Sequence, residues 1–166
     1  LNREIRRFTA DVFRPGLSPQ QADLVASLIE EEDFSASLGE TLYQIARRVE
    51  RQPFSPPGLE IMQAILDMVD RGITEHLGFD VPPAGAALAE SKMKAIGELR
   101  QRCLSASELS GEDRGALLAL LGSAERAVDL AERIQSERRS VSREMPQLAA
   151  LPEPGMILGS LSPKEA

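Results

Sequence analysis

The sequence predicts an all-α protein, and three observations predict it. Apolar residues recur at intervals of three, four and seven along most of the chain, and no stretch shows the apolar–polar alternation of a half-buried strand. Prolines, glycines and serines divide the chain into five such amphipathic runs, several of them preceded by helix-start signals. The apolar content is 42% but aromatics are scarce, with five Phe, one Tyr and no Trp, so the core must be built from Leu, Ile, Val, Ala and Met, which suits packed helices. At 166 residues the chain is long enough for one domain with a real core.

The first run, residues 2–13, spaces Ile5, Phe8 and Val12 for one helix face and stops at Arg14-Pro15-Gly16. Ser18-Pro19-Gln20-Gln21 then supplies an N-cap serine, a proline at the first helical position and a glutamine three after the cap. The second helix should reach about Arg51, with Leu24, Leu38 and Ile45, and Leu28, Leu42 and Val49, recurring at multiples of seven as the seam of a long packed helix. Glu31 falls in that seam, in the charge run Glu30-Glu31-Glu32-Asp33, and is expected at a bundle edge against an arginine. Ser55 caps a third helix, about 57–77, burying Leu59, Met62, Ile65, Leu66, Val69 and Ile73. Gly78 to Gly85, with Pro82-Pro83, makes the next break, and a fourth helix to about Leu104 places Leu88, Met93, Ile96 and Leu99 inside. Ser110-Gly111-Glu112-Asp113 starts the fifth, its acidic residues set against the N-terminal dipole. That helix buries Leu117, Leu120, Leu121, Ala124, Val128, Ala131 and Ile134, and Pro146 should end it.

One stretch occurs twice. DFSASLGETL (33–42) aligns with ERAVDLAERI (125–134) at an offset of 92, placing Leu28, Asp33, Leu38, Glu40 and Leu42 on Leu120, Glu125, Leu130, Glu132 and Ile134. Positions i, i+4 and i+7 share a helix face, so Glu125, Asp129 and Glu132 form an acidic stripe, and the first copy gives Asp33, Ser37 and Glu40. Stacked carboxylates repel, so such a stripe is a solvated face, a set of salt bridges or a cation site. Arg133, four after Asp129, is a candidate partner for it.

ERAVDLAERI resembles the helix motif of PhoU-like proteins, E-x-x-x-D followed by L-A-E-x-I. LIEEEDFSASLGETLYQIARRV (28–49) is similar to the matching helix of the PhoU-like domain that follows the membrane part of bacterial sodium/phosphate cotransporters. The resemblance covers roughly residues 2–143. It implies a long antiparallel helical bundle of tandem three-helix repeats with the first repeat incomplete. Residues 1–145 would be the PhoU-like domain, 1–52 the end of the first repeat and 53–145 the second, with 146–166 a proline-rich irregular tail. An ordinary five-helix bundle is the alternative.

In that family the motif carboxylates are associated with multinuclear iron or zinc clusters, and hard oxygen ligands suit such cations. The resemblance therefore implies iron or zinc at Glu125, Asp129 and Glu132, with Asp33 and Glu40 carried over from the first copy. Ser37 stands where the family prefers a carboxylate, and the fourth helix offers Glu90 and Glu98 at no matching spacing, which points to a degenerate site. Asp67 and Asp70 read as surface residues, His76 as a structural residue at a helix end, Cys103 as a small core residue, and Arg133, Arg138, Arg139 and Arg143 as a salt-bridged face.

Twenty-six acidic against nineteen basic residues give a net charge of −7, which argues against nucleic acid as a partner, because its binders need a basic footprint. One cysteine and one histidine exclude an internal disulfide, a thiolate zinc cluster and two-histidine metal motifs. No phosphate loop, dinucleotide glycine pattern, nucleophile elbow or zincin motif is present, so no enzyme is expected. The longest near-apolar run, around Gly115–Gly122, is too short to span a bilayer, and no signal peptide is visible. The chain begins with Leu1, as a fragment would. The resemblance implies a transmembrane sodium/phosphate transport domain upstream, a place at the cytoplasmic face of the inner membrane and a role in modulating phosphate uptake. The isolated fragment would be soluble, with homo-oligomers forming through seams left uncovered. A free-standing, metal-binding phosphate-signalling regulator and a ligand-free helical scaffold are the other two readings.

Overall fold

The computed structural model describes residues 18–78 and 86–149, with side chains described for 18–78 and 92–143. The first predicted helix, 2–13, and the tail beyond Ala149 lie outside the described residues. Four helices follow in order: α1 (Pro19–Arg51), α2 (Pro56–Leu77), α3 (Ala86–Ser105) and α4 (Gly111–Ala149), and the described residues contain no strand.

The starts of α1, α2 and α4 are built from the residues that announce them. Ser18 accepts from the Gln21 backbone N–H at 3.3 Å while Gln21 Oε1 accepts from the Ser18 N–H at 2.9 Å, a reciprocal capping box that satisfies two donors the helix cannot. At α2, Ser55 Oγ accepts from Gly58 N at 3.4 Å, and at α4, Ser110 Oγ accepts from Asp113 N at 3.0 Å. Asp113 also joins two helices, because its carboxylate accepts from the Ser55 hydroxyl at 2.5 Å and from the Ser55 N–H at 3.4 Å, tying the starts of α2 and α4 together. Arg114 closes the end of α3, donating to the carbonyls of Cys103 at 3.2 Å and Ala106 at 3.1 Å. A cation there also opposes the negative end of the helix dipole.

The contacts fix the directions. Asp113 meets Ser55, Gly72 lies against Val128 and His76 meets Gln135, so α2 runs parallel to α4. Glu31 pairs with Arg138, Phe34 lies under Arg133 and Gln52 reaches Glu112, so α1 runs antiparallel to it. Lys92 meets Asp129 and Glu132 while Arg100 meets Glu125, so α3 is antiparallel too. Helix α4 is the axis of the molecule. It packs against all three others, whereas α1 packs on α4 and on neither α2 nor α3 among the described residues. Interpolating between the contacts of Phe34 with Arg133 and of Gln52 with Glu112 sets Leu38 level with Val128, about half a turn from Leu130, and all three are buried.

The core follows the period of α4. Leu117, Leu120, Leu121, Ala124, Val128, Ala131 and Ile134 are all buried as the spacing predicts, joined by Ile61, Ile65, Met68 and Val69 from α2 and by Ile96, Leu99 and Cys103 from α3. A Cβ on Gly72 would lie 2.6 Å from a Val128 methyl, so this glycine sets how closely α2 approaches α4. Three expected core residues are exposed instead: Leu28, Leu59 and Met93. Among the described residues helix α1 has a single packing partner and buries a narrow stripe, around Leu38, Thr41 and Ile45, which misses Leu28. On α2 the buried row Ile61, Ile65, Met68, Gly72, His76 puts Leu59 on the far side, and on α3 Met93 sits at the edge of the seam. Helix α4 continues past Pro146 to Ala149, three residues beyond the expected stop; proline removes one N–H from the ladder but keeps a helical φ.

Candidate functional site

Helix α4 presents Glu125, Asp129 and Glu132 toward α3, as their shared face requires. Two cations of α3 meet them. Lys92 Nζ lies 2.5 Å from Asp129 Oδ1 and 3.0 Å from Glu132 Oε2, bridging both carboxylates, and the Arg100 guanidinium holds Glu125. The stripe is therefore a set of interhelical salt bridges among the described residues. The Lys92 side chain is only 20% exposed. Burial alone would lower its pKa, but the hydrogen bonds and charges of Asp129 and Glu132 outweigh burial and hold it above the ordinary lysine value.

Arg133 takes a different place from the one its spacing to Asp129 suggests. Its guanidinium sits over the Phe34 ring of α1, 5.6 Å from the centroid, a cation–π contact across the α1–α4 seam. Glu31 does meet an arginine at the bundle edge, with Arg138 Nε 2.6 Å from its Oε1. The first motif copy looks elsewhere. Glu40 accepts from Gln44 Nε2 at 2.7 Å and lines an open groove of about 490 Å³ between α1 and α4, with Ser37, Thr41, Ser123 and Arg126. Asp33 also lies on α1.

Iron or zinc requires several of these carboxylates to converge. Among the described residues no three His, Cys, Asp or Glu side chains come together in an arrangement that could hold a metal ion. The donors of α4 are turned to α3 and engaged by its cations, and Glu40 lies at the α1–α4 groove. The residues present thus do not fit a multinuclear centre in this arrangement.

The remaining titratable residues have structural positions. His76 is buried with Nδ1 3.0 Å from Gln135 Oε1, which is also buried, so the ring donates from Nδ1 to the amide oxygen and fastens the end of α2 to α4. Cys103 is fully buried; burial pushes its thiol up, against the smaller pull of Arg102. Asp67 accepts from Gln63 Nε2 at 2.8 Å on the exposed side of α2. Among the described residues no helix is long and apolar enough to cross a membrane.

Lys92 and Arg100 are what sequence reasoning missed. The signal was available: Lys92 precedes Ile96 by four, Leu99 by seven and Cys103 by eleven, and Arg100 follows Ile96 by four and precedes Cys103 by three, so both border the buried face of α3 and can meet what α4 offers there. No protein-family model matches the chain, and neither a curated protein nor a solved structure matches it.

Proposed function

We propose that this chain is a non-catalytic regulatory module, a PhoU-like cytosolic domain attached to a sodium-dependent phosphate transport segment, where it modulates phosphate uptake at the membrane's inner face. The observation that supports the reading most is the meeting of the two motif copies. They lie on α1 and α4, these two helices pack antiparallel along their length, and the aligned residues Leu38 and Leu130 are both buried, about half a turn apart in level. Two copies of one helix packed antiparallel, with the equivalent residues buried near one another, are what an internal repeat with approximate two-fold symmetry calls for. That α2, α3 and α4 pack mutually while, among the described residues, α1 joins through α4 alone further supports a complete second unit beside part of a first.

In this reading the acidic stripe fastens α3 to α4. Glu125, Asp129 and Glu132 seat the cations of α3, and any iron or zinc would have to displace Lys92 and Arg100. Adding either metal to protein prepared without chelator should leave the melting temperature unchanged. A rise that vanishes in E125A/D129A would reinstate a metal centre.

The test of the transport role has two parts. The gene upstream of Leu1 should encode about eight apolar segments long enough to span a bilayer. Deleting residues 1–145 from that whole protein should then alter sodium-dependent phosphate uptake in cells while the transport segment still reaches the membrane. A start codon immediately before Leu1, or uptake unchanged by the deletion, would overturn the assignment.

A further inference from the structure

We propose that the groove between α1 and α4 binds a small zwitterion of amino-acid type, its carboxylate on Arg126 and its ammonium on Glu40. The site is independent of the transport reading, and every residue in it lies on α1 or α4.

Toward its ends this seam matches its charges. Glu31 meets Arg138, Arg133 lies over Phe34, and Glu112 accepts from Gln52. In the middle a carboxylate and a guanidinium line one groove without meeting. The contacts that set Leu38 level with Val128 also set Glu40 level with Arg126, yet among the described residues Arg126 forms no ion pair. Gln44 draws the Glu40 carboxylate along its own helix, donating its amide N–H at 2.7 Å. Two opposite charges stand at one level on facing helices, with a groove of about 490 Å³ between them. A ligand that carries both charges complements them, and one that carries a single sign does not.

The neutral side chains of the groove suit the same ligand. Thr41 donates its hydroxyl to the Ser37 carbonyl at 2.8 Å, and Ser123 donates to the Ala119 carbonyl at 3.2 Å. With those protons committed to the backbone, both hydroxyl oxygens are left as acceptors for an ammonium. The Ser37 hydroxyl has no hydrogen-bond partner among the described residues and can donate to a carboxylate. Ser37 also stands where the second motif copy has Asp129, so the groove holds one carboxylate and is not closed to an anionic group. A phosphate would be set beside Glu40, and a divalent cation would find one carboxylate and a guanidinium.

Amide NMR shifts of the whole 166-residue chain test the site, with L-glutamine as the probe. L-glutamine should shift the amides of residues 36–44 and 123–126, which line the groove, and leave those of α2 in place. Acetate, ethylamine and inorganic phosphate, each with charge of one sign, should leave the groove amides in place at the same concentration. E40Q and R126Q should each weaken L-glutamine binding about five-fold, the size of one exposed ion pair. E60Q, on the exposed side of α2, should bind as the native chain does. The single-charge probes act on the native chain, which keeps the test decisive if a variant folds poorly. No shift at about 20 mM L-glutamine, equal shifts with acetate or phosphate, or undiminished binding by E40Q would overturn the site.

Discussion

The two antiparallel seams of α4 are made of different material. Toward α1 the seam is long and mainly apolar, with Leu38 and Leu130 both buried, and with the charged contacts of Glu31 with Arg138 and of Arg133 with Phe34 at one end of it. Toward α3 the apolar strip is short, Ile96 to Cys103, and is bracketed by Lys92 on Asp129 and Glu132 and by Arg100 on Glu125. Apolar burial is non-directional and is not weakened by charge screening, whereas exposed ion pairs are weak and screened. Stability therefore resides in the first seam, and sensitivity to charge in the second.

The largest effect should come from the apolar seam. Leu38→Ala and Leu130→Ala should each cost about 2–4 kcal/mol, as truncation of buried leucines does. If the two side chains meet, the double variant should depart from additivity by about 0.5–3 kcal/mol in chemical denaturation. Additive costs would separate the two leucines and remove the main support for a repeat. Next comes the parallel contact of α2, which serves as a reference for both seams. Gly72→Ala drives a methyl into Val128 and should destabilise by about 1–3 kcal/mol, whatever the salt concentration.

The smallest effect belongs to the ionic seam and its neighbour Cys103, and it appears in alkali. Both Lys92 and Cys103 hold their protons more tightly folded than unfolded. The stability this confers is complete below their unfolded values, 10.5 for the lysine and 9.0 for the thiol, and is lost as pH rises through the folded ones. Denaturation midpoints should thus fall from about pH 9 upward. Cys103→Ala should remove the thiol's part of that fall and K92Q the lysine's. A midpoint that rises with pH over this range would contradict both assignments.

The sequence was most legible where one residue type dictates one local geometry. Ser18, Ser55 and Ser110 announce the helices that they cap, and the apolar row of α4 is buried as its period demands. Leu28, Leu59 and Met93 show where periodicity stops: it states that a residue lies on a face but not how wide a stripe the partner covers. The acidic stripe was visible as a shared face, yet its occupant was not, because Lys92 and Arg100 approach from a helix more than twenty residues away in sequence. Asp113 was legible as a dipole-compensating residue of its own helix; that it also fastens Ser55 of α2 depends on two helices starting side by side, which no local pattern encodes.

Leu130 stands at the midpoint of α4, nineteen residues from Gly111 and nineteen from Ala149. At 1.5 Å per residue the arms on either side are each about 28 Å long. Helix α1 lies along α4 from Glu112 to Arg138, so this beam is clamped over about 39 Å and not poised on a point. A tilt of about 5° between the two helices would part the contacts at Glu112 and at Arg138 by about 1.7 Å each, so a rotation too small to disturb the apolar middle is read out at both ends of the seam.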